Sequence, residues 1–565
     1  MRHRSVDSQI FWLSFSLAVC ILVFSVLPIV RLFIETVRFS TADSPIASIL
    51  SSPRTWRALS NSFYTSALGS FIAMALGCAF AFSMTLTNVR AKPLWIFLFM
   101  IPMMIPPQVT ALSWLQLFGP ASPLLNSLGI APALGSPNPM YSAEGIALLL
   151  GIQNAPLVFL IVRSQLLTIP KDLIEAATIA SASGKDILFG IILPLSRSSI
   201  ASGTALAFVS SLGNFGIPAM LGIPINYLVL PTLIYQRMAG FGQSVLGEVA
   251  ALSMMISVLV LVGMIIQQTI QQNSKYSLIG HSSQTFFIAL GKWRKYVELL
   301  TGATILFVLV IPLIALVITS LVPALGMPLN ASTFSLNAYD EMLNRQGSTL
   351  RAFENSIFLA TSAAIALMIF SFPASYIIAN TSSSIRTAIV SIIEVPYAIP
   401  GVVLSIAFIL LFVKPIPIIN VNIYSTLTLI LLAYISCYMA VAMKPVATAV
   451  AQMDKSLEEA AQISGARTLN RIVDIVLPLT GPAVFAGGLM VFLISVNELT
   501  VSALLWSAGN ETIGVLIFGL DQSGYSVLAS AISVLVVLMV IAVMLALSLL
   551  SNRLPKGVIP WQDFR

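Results

Sequence analysis

The stretch "VLASAISVLVVLMVIAVMLALSLL" at residues 527–550 carries no charged residue, and runs of similar character recur along the whole chain. Such a run has few places to go. Crossing a hydrocarbon core of about 30 Å takes roughly 20 apolar residues in a helix. Inside that core the backbone must satisfy its own hydrogen bonds, which leaves helices and closed barrels as the spanning forms. Barrel strands alternate apolar with polar residues, whereas these runs are continuously apolar. The sequence therefore predicts an all-α polytopic membrane protein. Composition agrees, with 58% of residues hydrophobic and 9% charged against about 25% charged in a soluble domain.

Twelve spans are expected, centred near residues 22, 72, 105, 154, 208, 258, 309, 366, 400, 435, 492 and 537. The first lacks a small-residue cleavage site and stays in the mature chain. With both termini placed in the cytoplasm, most of the 28 Lys and Arg residues fall on that side, while the loop from about 118 to 143 has none. That asymmetry is the positive-inside pattern. The net charge of +7 thus reports topology, and a nucleic-acid partner is excluded.

The chain also repeats itself. "EAATIASASGKDILFGIILPL" at 175–195 returns as "EAAQISGARTLNRIVDIVLPL" at 459–479, "RALSNS" at 57–62 as "RAFENS" at 351–356, and "PMMIPP" at 102–107 as "PYAIPG" at 396–401. Order and direction are kept, which makes the two six-span halves a parallel repeat. The halves are drawn as residues 1–269 and 297–565, joined by a cytoplasmic linker over 270–296. The long repeated segment lies between the fourth and fifth spans of each half, within the loops 170–195 and 454–479. It reads as a short helix. Ser456-x-x-Glu459 fits a capping box, Asp172-x-x-Glu175 a version with Asp as cap, and Gly465 stands where a helix stops. The alanine pairs favour helix and leave a low profile for close packing.

Glu-Ala-Ala, three residues, Gly, nine residues, Ile, one residue, Leu-Pro resembles the coupling-loop motif of the permeases of binding-protein-dependent ABC importers. The second copy matches throughout, at Glu459, Ala460, Ala461, Gly465, Ile475, Leu477 and Pro478; the first, at Glu175, Ala176 and Ala177, departs by placing Ser181 in the glycine position. The resemblance implies two type I permease domains fused in one chain, set in a bacterial inner membrane. It implies that each coupling helix docks on an ATP-binding cassette subunit, expected as a homodimer, and that a periplasmic or extracellular binding protein delivers the cargo. Fused permeases of this layout serve ferric iron, thiamine and some phosphonate importers. The linker ending "LGKWR" is most similar to the ferric-iron branch, with thiamine, phosphonate and polyamine as alternatives.

No Gly-x-x-x-x-Gly-Lys-Ser/Thr stretch is present to cradle phosphates, so ATP and Mg are expected on the partner and the chain is not expected to be an enzyme. Cys20, Cys78 and Cys437 fall inside spans, and with His3 and His281 they offer no metal spacing. An intramembrane carboxylate is expensive enough to suggest a role, which singles out Glu394 and Glu498 as candidates to line the path, the alternative being a bond to a neighbouring helix. Asn214 and Asn497 occupy nearly matching places in the fifth spans, as polar lining or as interhelical glue. Pro102, Pro106, Pro107, Pro396 and Pro400 break the third span of each half, either as plain kinks or as a gate. A secondary transporter of major-facilitator type also has twelve spans in two parallel halves; its charged loop would follow the second span, where this chain has only "TLTNVRAKP".

Overall fold

The structure is a computed structural model and describes residues 8–41, 49–240, 245–272, 289–415, 420–466 and 468–550. The linker core at 273–288, with Gly280 and His281, lies outside these residues, as do His3 and Arg467. The described chain is α-helical throughout its spans.

Ten helices are long and apolar enough to cross a membrane, and three further helix pairs pass the same test only as bent units. The first half supplies the straight spans Trp12–Arg38, Pro53–Leu86, Ala143–Leu166, Gly184–Gly213 and Val245–Ile270; the second supplies Gly291–Ser320, Gly347–Ala379, Leu427–Gln452, Ile472–Val496 and Ser526–Leu549. The third span of each half is not a straight rod. Lys92–Met104 meets Pro107–Leu117 at 101°, and Ser384–Ala398 meets Gly401–Phe412 at 100°. A break in these two third spans was expected from their prolines, and the structure makes each break an elbow of about 100°. A third bent pair, Gly216–Ile225 with Leu230–Met238 at 73°, was not anticipated. Its two arms are each too short to cross alone, and Asn226 turns the chain between them with φ +55°.

Within a half, spans approach through small residues. A methyl group on Gly77 would come within 2.6 Å of the Ala155 carbonyl oxygen, and one on Gly151 within 2.6 Å of Ile72. Without a hydrophobic drive between helices in lipid, close backbone contact of this kind supplies the packing energy.

The first span of each half packs on the other half. In Trp12–Arg38, the Phe24 carbonyl accepts a hydrogen bond from Ser436, and Arg31 donates to the Leu410 carbonyl at 3.1 Å. Reciprocally, Phe307 of Gly291–Ser320 meets Trp114 edge to face at 5.6 Å, and the chain beyond it donates from Gly326 to the Ala121 carbonyl at 3.1 Å. The two halves therefore clasp each other.

Candidate functional site

The repeated segments form two nine-residue helices, Lys171–Ile179 and Lys455–Ile463. Their starts differ from the capping boxes expected. Pro170 is the N-cap of the first and makes no side-chain cap bond. Asp454 caps the second by accepting from the Ser456 amide at 2.9 Å, a bond that holds its carboxyl below the usual value. Each helix begins earlier than Asp172 or Ser456, which leaves those residues inside the first turn.

The helix ends agree closely. Ala180 and Ser464 donate to the carbonyls of Ala176 and Ala460 at 3.0 Å, and Ala182 and Ala466 donate to those of Ala177 and Ala461 at 3.0 Å. The second bond of each helix is the six-to-one closure of a Schellman turn, and its five-to-two partner runs from the Ser181 amide to the Thr178 carbonyl at 2.9 Å and from the Gly465 amide to the Gln462 carbonyl at 3.1 Å. The turn needs one left-handed residue. Gly465 takes it with φ +83°, and Ser181 takes it with φ +64°. The serine departure leaves the bend intact.

Both helices present the same exposed face. Glu175 and Glu459 are exposed, as are Ala176 and Ala460, and Glu175 pairs with Lys171 at 2.8 Å. Ile179 is 85% and Ile463 88% exposed, with Leu173 and Leu457 also exposed at matched places. Leu173 and Leu457 were not singled out from the sequence, although their recurrence at one spacing was visible. An apolar rim around an acidic centre, with none of the described residues covering it, suits a docking surface.

The buried faces differ. Ile174 is 2% exposed and packs in an apolar cluster that includes Phe82. At the aligned positions the second half has Glu458 and Tyr376, whose hydroxyl donates to the Glu458 carboxylate. One helix is thus held by apolar packing and the other by a hydrogen bond.

After each helix the chain enters the fifth span through a π turn, Leu188–Ile192 and Ile472–Val476. Leu193 donates to the Leu188 carbonyl and Leu477 to that of Ile472, and a proline follows immediately, Pro194 and Pro478. The first spans repeat the device, with π turns Leu22–Val26 and Leu306–Val310 before Pro28 and Pro312. Proline lacks an N–H and its ring crowds the preceding turn; widening that turn by one residue relieves both. The Leu-Pro at the end of the repeat therefore sets how the peripheral helix is carried by the span.

Within the bundle, Pro106 and Pro400 sit at the elbows, with ψ 139° and 137°. The residue before a proline is driven out of the helical region, and Ile105 and Ile399 are extended, with ψ 138° and 136°. Pro102 and Pro396 lie inside the arm before each elbow. Each elbow packs closely on its own half, where a methyl on Gly216 would lie 3.0 Å from Pro107 and one on Gly401 3.0 Å from Thr500, and the second elbow also reaches the first half, where a methyl on Gly213 would lie 3.5 Å from Pro400.

Asn214 accepts from the Ile217 amide at 3.1 Å and donates to Gln153 at 3.4 Å. Asn497 donates to the Leu493 carbonyl at 3.1 Å, while its own carbonyl oxygen is buried without a partner. Glu498 is 8% exposed. Its carboxylate accepts from the amides of Val501 at 2.8 Å and Ser502 at 3.1 Å, which caps a short helix. Glu394 is half-buried and pairs with Lys444 at 3.6 Å. Both carboxylates thus have structural partners. Gln108, just past the first elbow, was missed from the sequence. It is fully buried with both amide atoms unpaired, and a methyl on Gly514 would lie 3.2 Å from its nitrogen and 2.8 Å from the Glu498 carbonyl. A lone glutamine after Pro-Pro in an apolar run was the available signal.

Known proteins give this geometry a family. The model of the binding-protein-dependent transport system inner membrane component matches twice, at residues 73–276 and 371–558. The ferric transport system permease protein of Actinobacillus pleuropneumoniae is 24% identical over 96% of this chain and 78% of its own length. The putrescine transport system permease protein of Escherichia coli strain K12 is 27% identical over 43% of this chain and 85% of its own. A bacterial alginate ABC transporter of solved structure aligns with 47% of this chain and 97% of its own, at 19% identity and a TM-score of 0.37. The chain is a fused, two-domain member of the family of binding-protein-dependent transport system inner membrane components.

Proposed function

We propose that this chain supplies the whole membrane pathway of an ABC importer for ferric iron, with both termini in the cytoplasm of a bacterium and the linker 270–296 on the same side. ATP and Mg are bound by a separate cassette subunit, working as a homodimer, and a binding protein outside the membrane delivers the cargo. The observation that carries this reading is the duplicated helix. Two helices with the same Schellman turn expose the same Glu, Ala, Leu and Ile at one end of the bundle, as a pair of equal sockets on a dimeric motor would require. Ferric iron is favoured because the ferric permease relative aligns over nearly the whole chain.

Closure of the cassette dimer on ATP would move both docked helices, and the π turns would pass that motion to the fifth spans. ATP and a loaded binding protein act together if both favour the same arrangement of the halves. The Pro400 elbow, which lies against Gly213 of the other half, is the natural place for a gate.

Glu459→Lys reverses the charge at the centre of one docking face. The expected outcome is loss of radiolabelled iron uptake and of co-purifying cassette subunit, with the amount of membrane-inserted permease unchanged. Normal uptake by this variant would refute the docking role.

A further inference from the structure

Where the bent pair Gly216–Ile225 and Leu230–Met238 of the first half faces residues 503–523 of the second there is a partly open cavity of about 330 Å³. Tyr235 and Gln236 line it from the first half, and Trp506, Phe518, Gln522 and Ser523 from the second. It lies far from the peripheral helices: the span Gly184–Gly213 separates them, roughly 40 Å at about 1.5 Å per residue. Phe215, Tyr235 and Phe518 pack as one aromatic group, with centroids 5.1, 5.9 and 6.0 Å apart, which gives the cavity a firm wall.

The chemistry of the lining is the informative part. Among the described residues it contains aromatic faces, two side-chain amides and the hydroxyls of Tyr235 and Ser523, and no charged side chain. The acids beside it are engaged elsewhere. Asp521, next to Gln522, accepts from the Ser526 hydroxyl at 2.7 Å; Glu248 holds Arg237, next to Gln236, at 3.3 Å; Glu498 is committed to two backbone amides. An ion that gives up its hydration needs opposite charge in its place, and a trivalent ion needs the most. A hard cation asks for several carboxylate or other anionic oxygen ligands, and this lining offers at most one, the Tyr235 phenol. The volume falls in the range of small-molecule sites, about 300–1,000 Å³, and greatly exceeds a single ion.

We propose that this cavity is the site on the outer side where cargo rests between the halves, and that it accepts iron(III) only as a complex still wrapped in its own oxygen ligands. Gln236, Gln522 and Ser523 donate hydrogen bonds to the rim of the complex, and Trp506 and Tyr235 cover its flat faces. The complex brings the anionic charge that the protein does not supply. This rests on the reading of the chain as a ferric iron permease.

The test uses the full complex, with cassette subunit and binding protein, in proteoliposomes under MgATP in a buffer free of other coordinating anions. The probe is iron(III) citrate labelled with 55Fe and 14C. The expected result is entry of both labels at a fixed ratio, and at least a ten-fold lower 55Fe entry per ATP hydrolysed in Trp506→Ala/Gln522→Leu. Folding of that variant is checked by co-purification with the cassette subunit. Entry of 55Fe without 14C, or normal entry in an assembled double variant, overturns the inference while leaving iron as the cargo. A wild-type complex that hydrolyses ATP with its binding protein yet moves no 55Fe refutes the iron reading itself, and the inference with it.

Discussion

Ser181 and Gly465 show how one residue position can be read two ways. The sequence marks Ser181 as the single departure from the motif, and the structure gives both residues a positive φ. A residue with a Cβ loses about 1–2 kcal/mol in that region and glycine does not. Ser181→Gly should therefore raise the stability of the first turn by about 1 kcal/mol, and Gly465→Ala should lower that of the second by a similar amount; hydrogen exchange at Ala182 and Ala466 would report both. Tyr376 and Glu458 carry a second lesson. In the first half the aligned residues are the apolar Phe82 and Ile174, so a hydrogen-bonded pair and an apolar cluster hold equivalent helices. Tyr376→Phe alone leaves the carboxylate without its donor and should cost about 1 kcal/mol in a thermal melt. Adding Glu458→Ile, which copies the first half, should recover most of it. Neither alignment partner could be paired from the sequence alone, because the contact joins residues 82 apart.

Among the elements, the prolines were legible as breaks and illegible as geometry. Pro106 and Pro400 turn the chain by about 100°, whereas Pro28, Pro194, Pro312 and Pro478 leave their spans continuous behind a π turn. The difference lies in the preceding residue: Ile105 and Ile399 are extended, while Leu193 and Leu477 stay helical and donate five residues back. Removing the proline at one of the second kind should let the turn tighten. Pro478→Ala is expected to convert Ile472–Val476 to ordinary helix, rotating the peripheral helix by about 100° relative to its span, since 3.6 residues make a turn. The expected readout is ATP hydrolysis that no longer rises on addition of loaded binding protein, with the cassette subunit still bound.

For the molecule as a whole, the clasp of first spans sets what can fold alone. Ser436 and Leu410 hold the first span of the opposite half, and Trp114 holds Phe307 in return. Residues 1–269 or 297–565 expressed singly should expose these surfaces and fail to give a monodisperse species on size exclusion in detergent, while co-expression of the two should restore a 1:1 complex. What the sequence determined was the class of fold, the number of halves, their common direction and the two peripheral helices. Hydropathy and repetition are local along the chain, and each can be read without knowing what any residue touches. What only the tertiary structure decided was where polar groups find partners: Glu498 became a cap, Glu394 half of an ion pair, and Gln108 an unpaired amide at the seam. In a low-dielectric interior the meaning of a polar residue is set by its neighbours across the bundle, and those neighbours come from helices far away in the chain.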